Sequence, residues 1–179
     1  MEIIKTPISD LIIVKPRVFA DARGFFCETY NEKAYHDAGI NLKFCQDNQS
    51  KSSYGVIRGL HYQLYPQSQS KLVSAAVGSV WDVAVDLRKD SPTFGQWFGV
   101  ELTEENHLQF LIPQGFAHGH QSLSDDTEVG YLISEYYVPD AADGVRHDDP
   151  AFAIDWPLRV TAISNRDRNW PDFALPIGS

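Results

Sequence analysis

Between residues 11 and 137 the chain is cut into short apolar or alternating runs by Gly, Pro, Asn and Asp, a rhythm that favours strands over helices. LIIVKP (11–16) and GFFCETY (24–30) open the series. NEKAYHDAGI reads as one short helix, with Asn31 placed to cap its N-terminus and Gly39 just past its end. NLKFCQDNQ, VIRGLHYQ, KLVSAAV, SVWDVAVDL, QWFGVEL, HLQFLIP, AHGHQSL and EVGYLISEYY follow as further strands. About ten strands and a single helix predict an all-β antiparallel sandwich or barrel. From Val138 the tail is richer in Pro and Asp and is expected to wrap the barrel with little regular structure. No repeat or linker interrupts the 179 residues, which suit a single domain over 1–179.

The net charge of −9 narrows the choice of partners. No basic run exists to neutralise a polyphosphate backbone or an anionic bilayer, so nucleic acid and membrane are not expected partners. A small phosphorylated ligand remains open, provided a few basic groups gather locally. No apolar run approaches a membrane span, MEIIKTPISD does not read as a signal peptide, and a cytoplasmic location is expected. Cys27 and Cys45 lie in expected strands without metal-ligand spacing and read as reduced thiols.

Three stretches carry candidate chemistry. In WDVAVDLR, alternation sets Val80, Asp82, Ala84 and Asp86 on one face and Trp81, Val83, Val85 and Leu87 on the other. The second face is core, and the two carboxylates are expected to face solvent. In VIRGLHYQ, alternation sets Arg58 opposite His61 and Gln63. Gly59 permits a bulge, so if both residues serve one pocket the backbone there should depart from regular strand geometry. In PQGFAHGHQS, His118 and His120 share a strand face. With His61 they suggest a metal-binding cupin; buried hydrogen-bonded histidines and a metal-free catalytic histidine are the other readings. Arg23, Arg58, Lys71, Arg166 and Arg168 taken singly read as surface charges, and Tyr131, Tyr136 and Tyr137 as packing.

Read together, FADARGFFCETYN, FCQDNQSKS, VIRGLHYQ, KLVSAAVGSVWDVAVDLRKDSPTFGQW, IPQGFAHG, YLISEYYVP and DDPAFAIDWP resemble the dTDP-4-dehydrorhamnose 3,5-epimerase family of nucleotide-sugar epimerases, in family order over most of the chain. The resemblance implies a cupin-type jelly roll that needs no metal or cofactor. It also implies a homodimer that exchanges N-terminal strands, so that each subunit completes its neighbour's site. The implied activity is inversion at C3 and C5 of dTDP-4-dehydro-6-deoxy-D-glucose, through an enolate, in dTDP-L-rhamnose biosynthesis.

By match to family motifs, His61 would be the general base, Asp167 its orienting carboxylate and Tyr131 the general acid on the other face of the sugar. Lys71 and His118 would hydrogen-bond the sugar around its C4 oxygen. Arg23, Glu28, Gln46, Asn48, Arg58 and Arg166 would hold the nucleotide and diphosphate. Phe26 and Tyr136 or Tyr137 would lie near the base, and Asp143 joins the substrate-binding set. Both carbons flank the C4 carbonyl, so a neutral imidazole can remove their protons if a fixed cation stabilises the enolate.

The chain departs from the usual pattern at His120, where the family often has Phe, at Leu132, where many members have Lys, and at Arg166, which replaces a common Lys. Arginine keeps the charge and the phosphate geometry. His120 leaves open a metal-dependent oxygenase built on His61, His118 and His120, and Leu132 leaves the substrate subclass open; a single-centre epimerase of a related nucleotide deoxysugar is the alternative within the same class. A non-catalytic nucleotide-sugar binder would have no use for an acid–base set on opposite faces.

Overall fold

The computed structural model describes residues 1–174. Among these residues thirteen strands, two short α-helices and one 3-10 turn (Pro139–Ala141) run in chain order. The first are β1 (Glu2–Lys5), β2 (Ile12–Lys15), β3 (Val18–Asp21), β4 (Gly24–Cys27) and helix α1 (Glu32–Asp37). Next come β5 (Gln46–Ser52), β6 (Ile57–Gln63), β7 (Lys71–Val77), β8 (Ser79–Asp86) and β9 (Trp97–Thr103). The last are β10 (Gln109–Ile112), β11 (Phe116–Ser122), β12 (Thr127–Ile133), β13 (Ala142–Gly144) and helix α2 (Asn165–Arg168).

One sheet has the order β1-β2-β10-β7-β12-β5 and a second the order β13-β6-β11-β8-β9, all neighbours antiparallel. Their facing sides interdigitate around Ile13, Val73, Val80, Ala84, Leu102 and Phe110, every one buried. This is the jelly-roll sandwich of the cupin type expected from strand rhythm and motif resemblance.

Each sheet is also covered on its outer face. Helix α1 lays Tyr35 against Val14, Leu72 and Leu111 of the six-stranded sheet. Asn31 caps α1 by accepting from the Ala34 amide, and Gly39 follows with φ +87°. On the five-stranded sheet, Val145, Phe152 and Trp156 of the tail cover Leu60, Val83, Val85 and Ala117. The tail is therefore more ordered than its composition suggests: β13 adds an edge strand to β6, and α2 is a second helix where one was expected. The short strands β1 and β3 add to the expected set, and Cys45 lies just before β5 instead of within a strand. Both cysteines are free.

Double coverage overturns the expectation of a solvated carboxylate face on β8. Asp82 and Asp86 are both 0 % exposed and point between the sheets. Asp86 accepts from Arg88 Nε and Nη2 (2.9 and 2.8 Å), Ser91 Oγ (2.6 Å) and Thr93 Oγ1 (2.7 Å). Burial works to raise its pKa, but the Arg88, Ser91 and Thr93 hydrogen bonds prevail and hold it down at about 2. A folded pKa below the unfolded value stabilises the fold above about pH 4 and loses that contribution as pH falls towards the folded value. Asp86→Asn should therefore cost about 2–4 kcal/mol at pH 7, with the gap to the parent protein narrowing between about pH 4 and pH 2 in urea melts.

Candidate active site

The cleft opens between the two sheets, and its floor is a pair of cross-strand rows. Across β8, β11 and β6 the first row reads Ala84, His118, His61 and the second reads Asp82, His120, Arg58. On β11 the two rows are two residues apart, whereas on β6 they are three apart, so β6 carries one extra residue. That residue is housed at Gly59, where φ is +123° and the register shifts. A Cβ on Gly59 would stand 2.5 Å from Gly119 Cα and 2.7 Å from the His118 carbonyl oxygen. The bulge thus resolves the parity conflict: Arg58 and His61 have opposite alternation and yet serve one cleft.

His61 Nε2 lies 2.6 Å from Asp167 Oδ1. Ser164 caps α2 through the Asp167 amide, and the second carboxylate oxygen accepts from the Gly59 amide at 3.3 Å. Burial alone would raise the Asp167 pKa; the hydrogen bond and charge of His61 and the Gly59 amide outweigh it, so the group is held below the usual carboxylate range. An ionised Asp167 makes Nε2 of His61 the protonated nitrogen and leaves the Nδ1 lone pair to act as a base. Arg166 Nη2 stands 3.4 Å from the same His61 nitrogen.

The opposite wall comes from the six-stranded sheet. Tyr131 on β12 and Lys71 on β7 line the cleft across from His61. The Lys71 ammonium reaches across to the His61 carbonyl oxygen at 3.2 Å. It is 7 % exposed, and burial lowers its pKa to about 8 against the pull of Asp82. A main lobe of about 570 Å³ and a second of about 250 Å³ share His61, Lys71, Tyr131 and Arg166 in their walls.

Asp82, expected in solvent, sits under this floor instead. Its carboxylate oxygens lie 2.9 and 3.1 Å from His118 Nε2. Burial raises the Asp82 pKa to about 7, opposed by His120 and Lys71. His118 is pushed well below its ordinary value by burial, with Lys71 and His61 adding to the effect. Burial also lowers His120, to about 4, although Asp82 pulls the other way. Both rings are neutral near pH 7. Alternation placed the two histidines on one face correctly, but the oxygenase set of His61, His118 and His120 does not form. Among the described residues the donor atoms that lie within 4.8 Å of one another are those of Asp82, His118 and His120, while His61 belongs to Asp167. Val80 and Ala84, apolar and on the same face as Asp82, were the sequence signal that this face is buried.

The second lobe gathers half of the expected nucleotide residues, Arg166 among them. Gln46, Asn48, Tyr137 and Asp143 line it, with Gln46 donating to Asn48 (3.0 Å) and accepting from the Tyr137 amide (3.3 Å). Asp143 accepts from the Tyr62 hydroxyl at 3.0 Å. Tyr136 is 67 % exposed. Arg58 lines the main lobe and is tied back to Ser52 Oγ and the Lys51 carbonyl, both at 2.9 Å. Arg23, Phe26 and Glu28 are not brought to this cleft. Arg23 and Phe26 ride on the β3–β4 hairpin, which pairs with no other strand among the described residues, and Glu28 follows it, exposed. Arg23 is occupied by Asp21 at 2.6 Å.

A histidine–carboxylate pair on one wall, a tyrosine on the other and a buried ammonium between them equip a jelly roll for acid–base work on two faces of one small molecule. The class is thus that of a proton-transfer enzyme built on a cupin-type fold. Comparison with known proteins makes the assignment specific: residues 5–174 match the model of the dTDP-4-dehydrorhamnose 3,5-epimerase family, and the chain belongs to that family. It is 49 % identical over 174 residues to dTDP-4-dehydrorhamnose 3,5-epimerase of Shigella flexneri, covering 97 % of this chain and 96 % of that one. The crystal structure of dTDP-4-dehydrorhamnose 3,5-epimerase from Bacillus anthracis with TDP and PPi bound superposes with a TM-score of 0.94 at 46 % identity, covering 96 % and 99 %. The Legionella pneumophila 3,5-epimerase in complex with dTDP-4-keto-L-rhamnose superposes at 0.89 with 49 % identity, covering 93 % and 89 %.

Gly59→Ala should disable the site by displacing β6 from β11. The expected cost is about 2 kcal/mol or more of stability, with activity falling further than stability explains, because His61 and Arg58 lose their common face. Thermal melts alongside turnover on the folded fraction would check this; a variant as active as the parent would show that the bulge does not aim the two side chains.

Proposed function

We propose that the whole chain acts as one catalytic domain that inverts C3 and C5 of dTDP-4-dehydro-6-deoxy-D-glucose to give dTDP-4-dehydro-L-rhamnose. The observation that carries this reading is the origin of the two proton-transfer groups on opposite sheets: His61 on one, held by Asp167 of α2, and Tyr131 on the other.

Inversion needs a proton removed from one face of a carbon and another delivered to the opposite face. His61 Nδ1 takes the α-proton, and Asp167 stabilises the imidazolium that forms. Charge then moves to the C4 oxygen as the enolate develops, and the Lys71 ammonium is placed to meet it. Tyr131 returns a proton from the far wall, and repetition at the second carbon completes the double inversion. Arg58 and Arg166 face the diphosphate, which concentrates positive charge locally in an acidic protein. Gln46, Asn48, Tyr137 and Asp143 face the nucleoside end. The reading needs no metal or cofactor and places the reaction in the cytoplasm, in dTDP-L-rhamnose biosynthesis.

The site is completed in this reading by a second copy of the chain. Phe19, Phe25 and Phe26 on the β3–β4 hairpin are 49, 62 and 66 % exposed, and a segment so apolar calls for a partner. The hairpin would be the exchanged N-terminal element, bringing Arg23, Phe26 and Glu28 to the neighbour's cleft.

Incubation with the sugar nucleotide in D₂O, without metal or cofactor, should place deuterium at both C3 and C5. His61→Ala should abolish both exchanges while dTDP affinity stays within about three-fold, since a general base contributes about 10²–10⁴ to rate and little to binding. Label at one carbon only would reassign the chain as a single-centre epimerase, and an equal loss of binding would remove His61 from the role of base.

The composite site has its own test. Arg23→Ala and His61→Ala subunits, each inactive alone, should regain activity when mixed and reassembled, because one of the two sites then holds Arg23 from one chain and His61 from the other. Mixed dimers without activity would mean that each site draws Arg23 and His61 from the same chain.

A further inference from the structure

Asp82 has no part in the proton transfers set out above, yet its position is costly. It is 0 % exposed, and among the described residues its hydrogen-bond partner is His118 alone. A buried carboxylate with one neutral partner costs several kcal/mol of desolvation that a valine at the same place would avoid. Asp86 on the same face offers a contrast: Arg88, Ser91 and Thr93 satisfy it, and it lies outside the cleft walls, so its role is structural. Asp82 instead touches cleft residues. It stands directly opposite His120 in the β8–β11 register, binds His118 and acts on the Lys71 ammonium.

We infer that Asp82 is a positioning residue for the epimerisation: it is the buried counter-charge that keeps Lys71 protonated opposite the developing enolate, and the acceptor that fixes the tautomer of His118. The inference rests on the epimerase reading of this cleft. Above its raised pKa of about 7 Asp82 is a carboxylate, which accepts from Nε2–H of His118 and leaves Nδ1 as the acceptor nitrogen of the ring. A neutral His118 in that tautomer can take a hydrogen bond from a sugar hydroxyl but cannot give one to the C4 oxygen. The enolate charge then falls to Lys71, which sharpens the expectation that the two residues share that oxygen.

The surroundings decide how Lys71 titrates. His61 and Arg58 face the cluster from β6, His118 and His120 from β11, and Tyr131 from β12. Arg166 and Asp167 stand beyond His61 on α2, and the Asp167 charge is spent on His61. Of the groups acting on Lys71, Asp82 is the one that favours its charged form; burial opposes it. With the Lys71 pKa lowered to about 8, activity that needs the ammonium is present below that pH and lost above it. Removing the Asp82 charge withdraws support from the protonated form, so the loss must move to lower pH.

The test is the pH dependence of kcat for the parent protein and Asp82→Asn, which keeps the shape and one acceptor oxygen of the side chain while removing its charge. Deuterium wash-in by the parent protein is established first. An inactive parent would overturn the epimerase reading, and this inference with it. With an active parent, the alkaline limb of Asp82→Asn should fall by about one pH unit, and kcat at pH 7.5 by about three-fold, while dTDP affinity stays within about three-fold. A limb that stays in place, with kcat lowered only in proportion to the folded fraction, would make Asp82 structural and overturn the inference while leaving the epimerase reading intact.

Two measurements hold if that variant does not fold. Lys71→Arg cannot lose its proton in this range, so its residual activity should lack the alkaline limb; a limb that persists would overturn the role given to Lys71 and its counter-charge. In the parent protein, ¹⁵N spectra of labelled histidine should show His118 neutral with the proton on Nε2, and a proton on Nδ1 would overturn the tautomer assignment.

Discussion

Everything in the cleft depends on one extra residue in β6. A regular strand would send Arg58 and His61 to opposite faces, one into the cleft and one into the apolar layer under the tail. The bulge sets two residues of β6, Gly59 and Leu60, against one of β11, Gly119, and turns both side chains inward. It needs glycine on both strands: Gly59 takes φ +123°, and a Cβ on Gly119 would come within 2.8 Å of the Arg58 carbonyl oxygen. The same distortion frees the Gly59 amide to hydrogen-bond Asp167, which carries the carboxylate of α2 to His61. A backbone irregularity therefore places His61, orients Asp167 against it and turns Arg58 into the same cleft.

Charge in the cleft follows from burial more than from net charge. The chain carries −9 overall, yet its cleft walls include Arg58, Lys71 and Arg166. Burial keeps the His118 and His120 rings neutral and brings Lys71 close to its deprotonated form. An ammonium so poised is a good electrostatic catalyst: desolvated, it interacts strongly with a new negative charge, and it needs only one buried carboxylate to stay protonated. This logic holds the acidic residue at position 82 inside the sandwich, where fold stability alone would favour an apolar one.

The sandwich was legible in the sequence because strands of period two, closed by Gly, Pro and Asn, leave few alternatives. Helix α1 was legible from Asn31 and Gly39. The misses have physical causes. Strand β1 and strand β3 are four residues each, too short to show a period. Asp82 and Asp86 were assigned to solvent because alternation distinguishes two faces without saying whether both are covered, and the covering tail is remote in sequence. His61 and Asp167 lie 106 positions apart, and no local pattern joins them; only the motif resemblance did. Position 59 is the instructive case, since the conflict between alternation and a shared pocket itself required an irregular backbone there.

A sandwich suits epimerisation for a reason that goes beyond any single residue. Deprotonation and reprotonation on opposite faces of one carbon need two groups several ångströms apart that point at each other through the substrate. Two sheets packed face to face stand about 10 Å apart, which leaves room for a pyranose ring once side chains at the cleft are trimmed to histidines, a lysine and a tyrosine. In the proposed reading one sheet contributes the base, whose carboxylate is brought to it by α2, and the other sheet the acid, with base and acid each held by its own hydrogen-bond ladder. The groups on either wall cannot collapse onto each other because the core around Phe110 and Val80 keeps the layers apart. The distance on which stereochemical inversion depends is thus set by the thickness of the hydrophobic core.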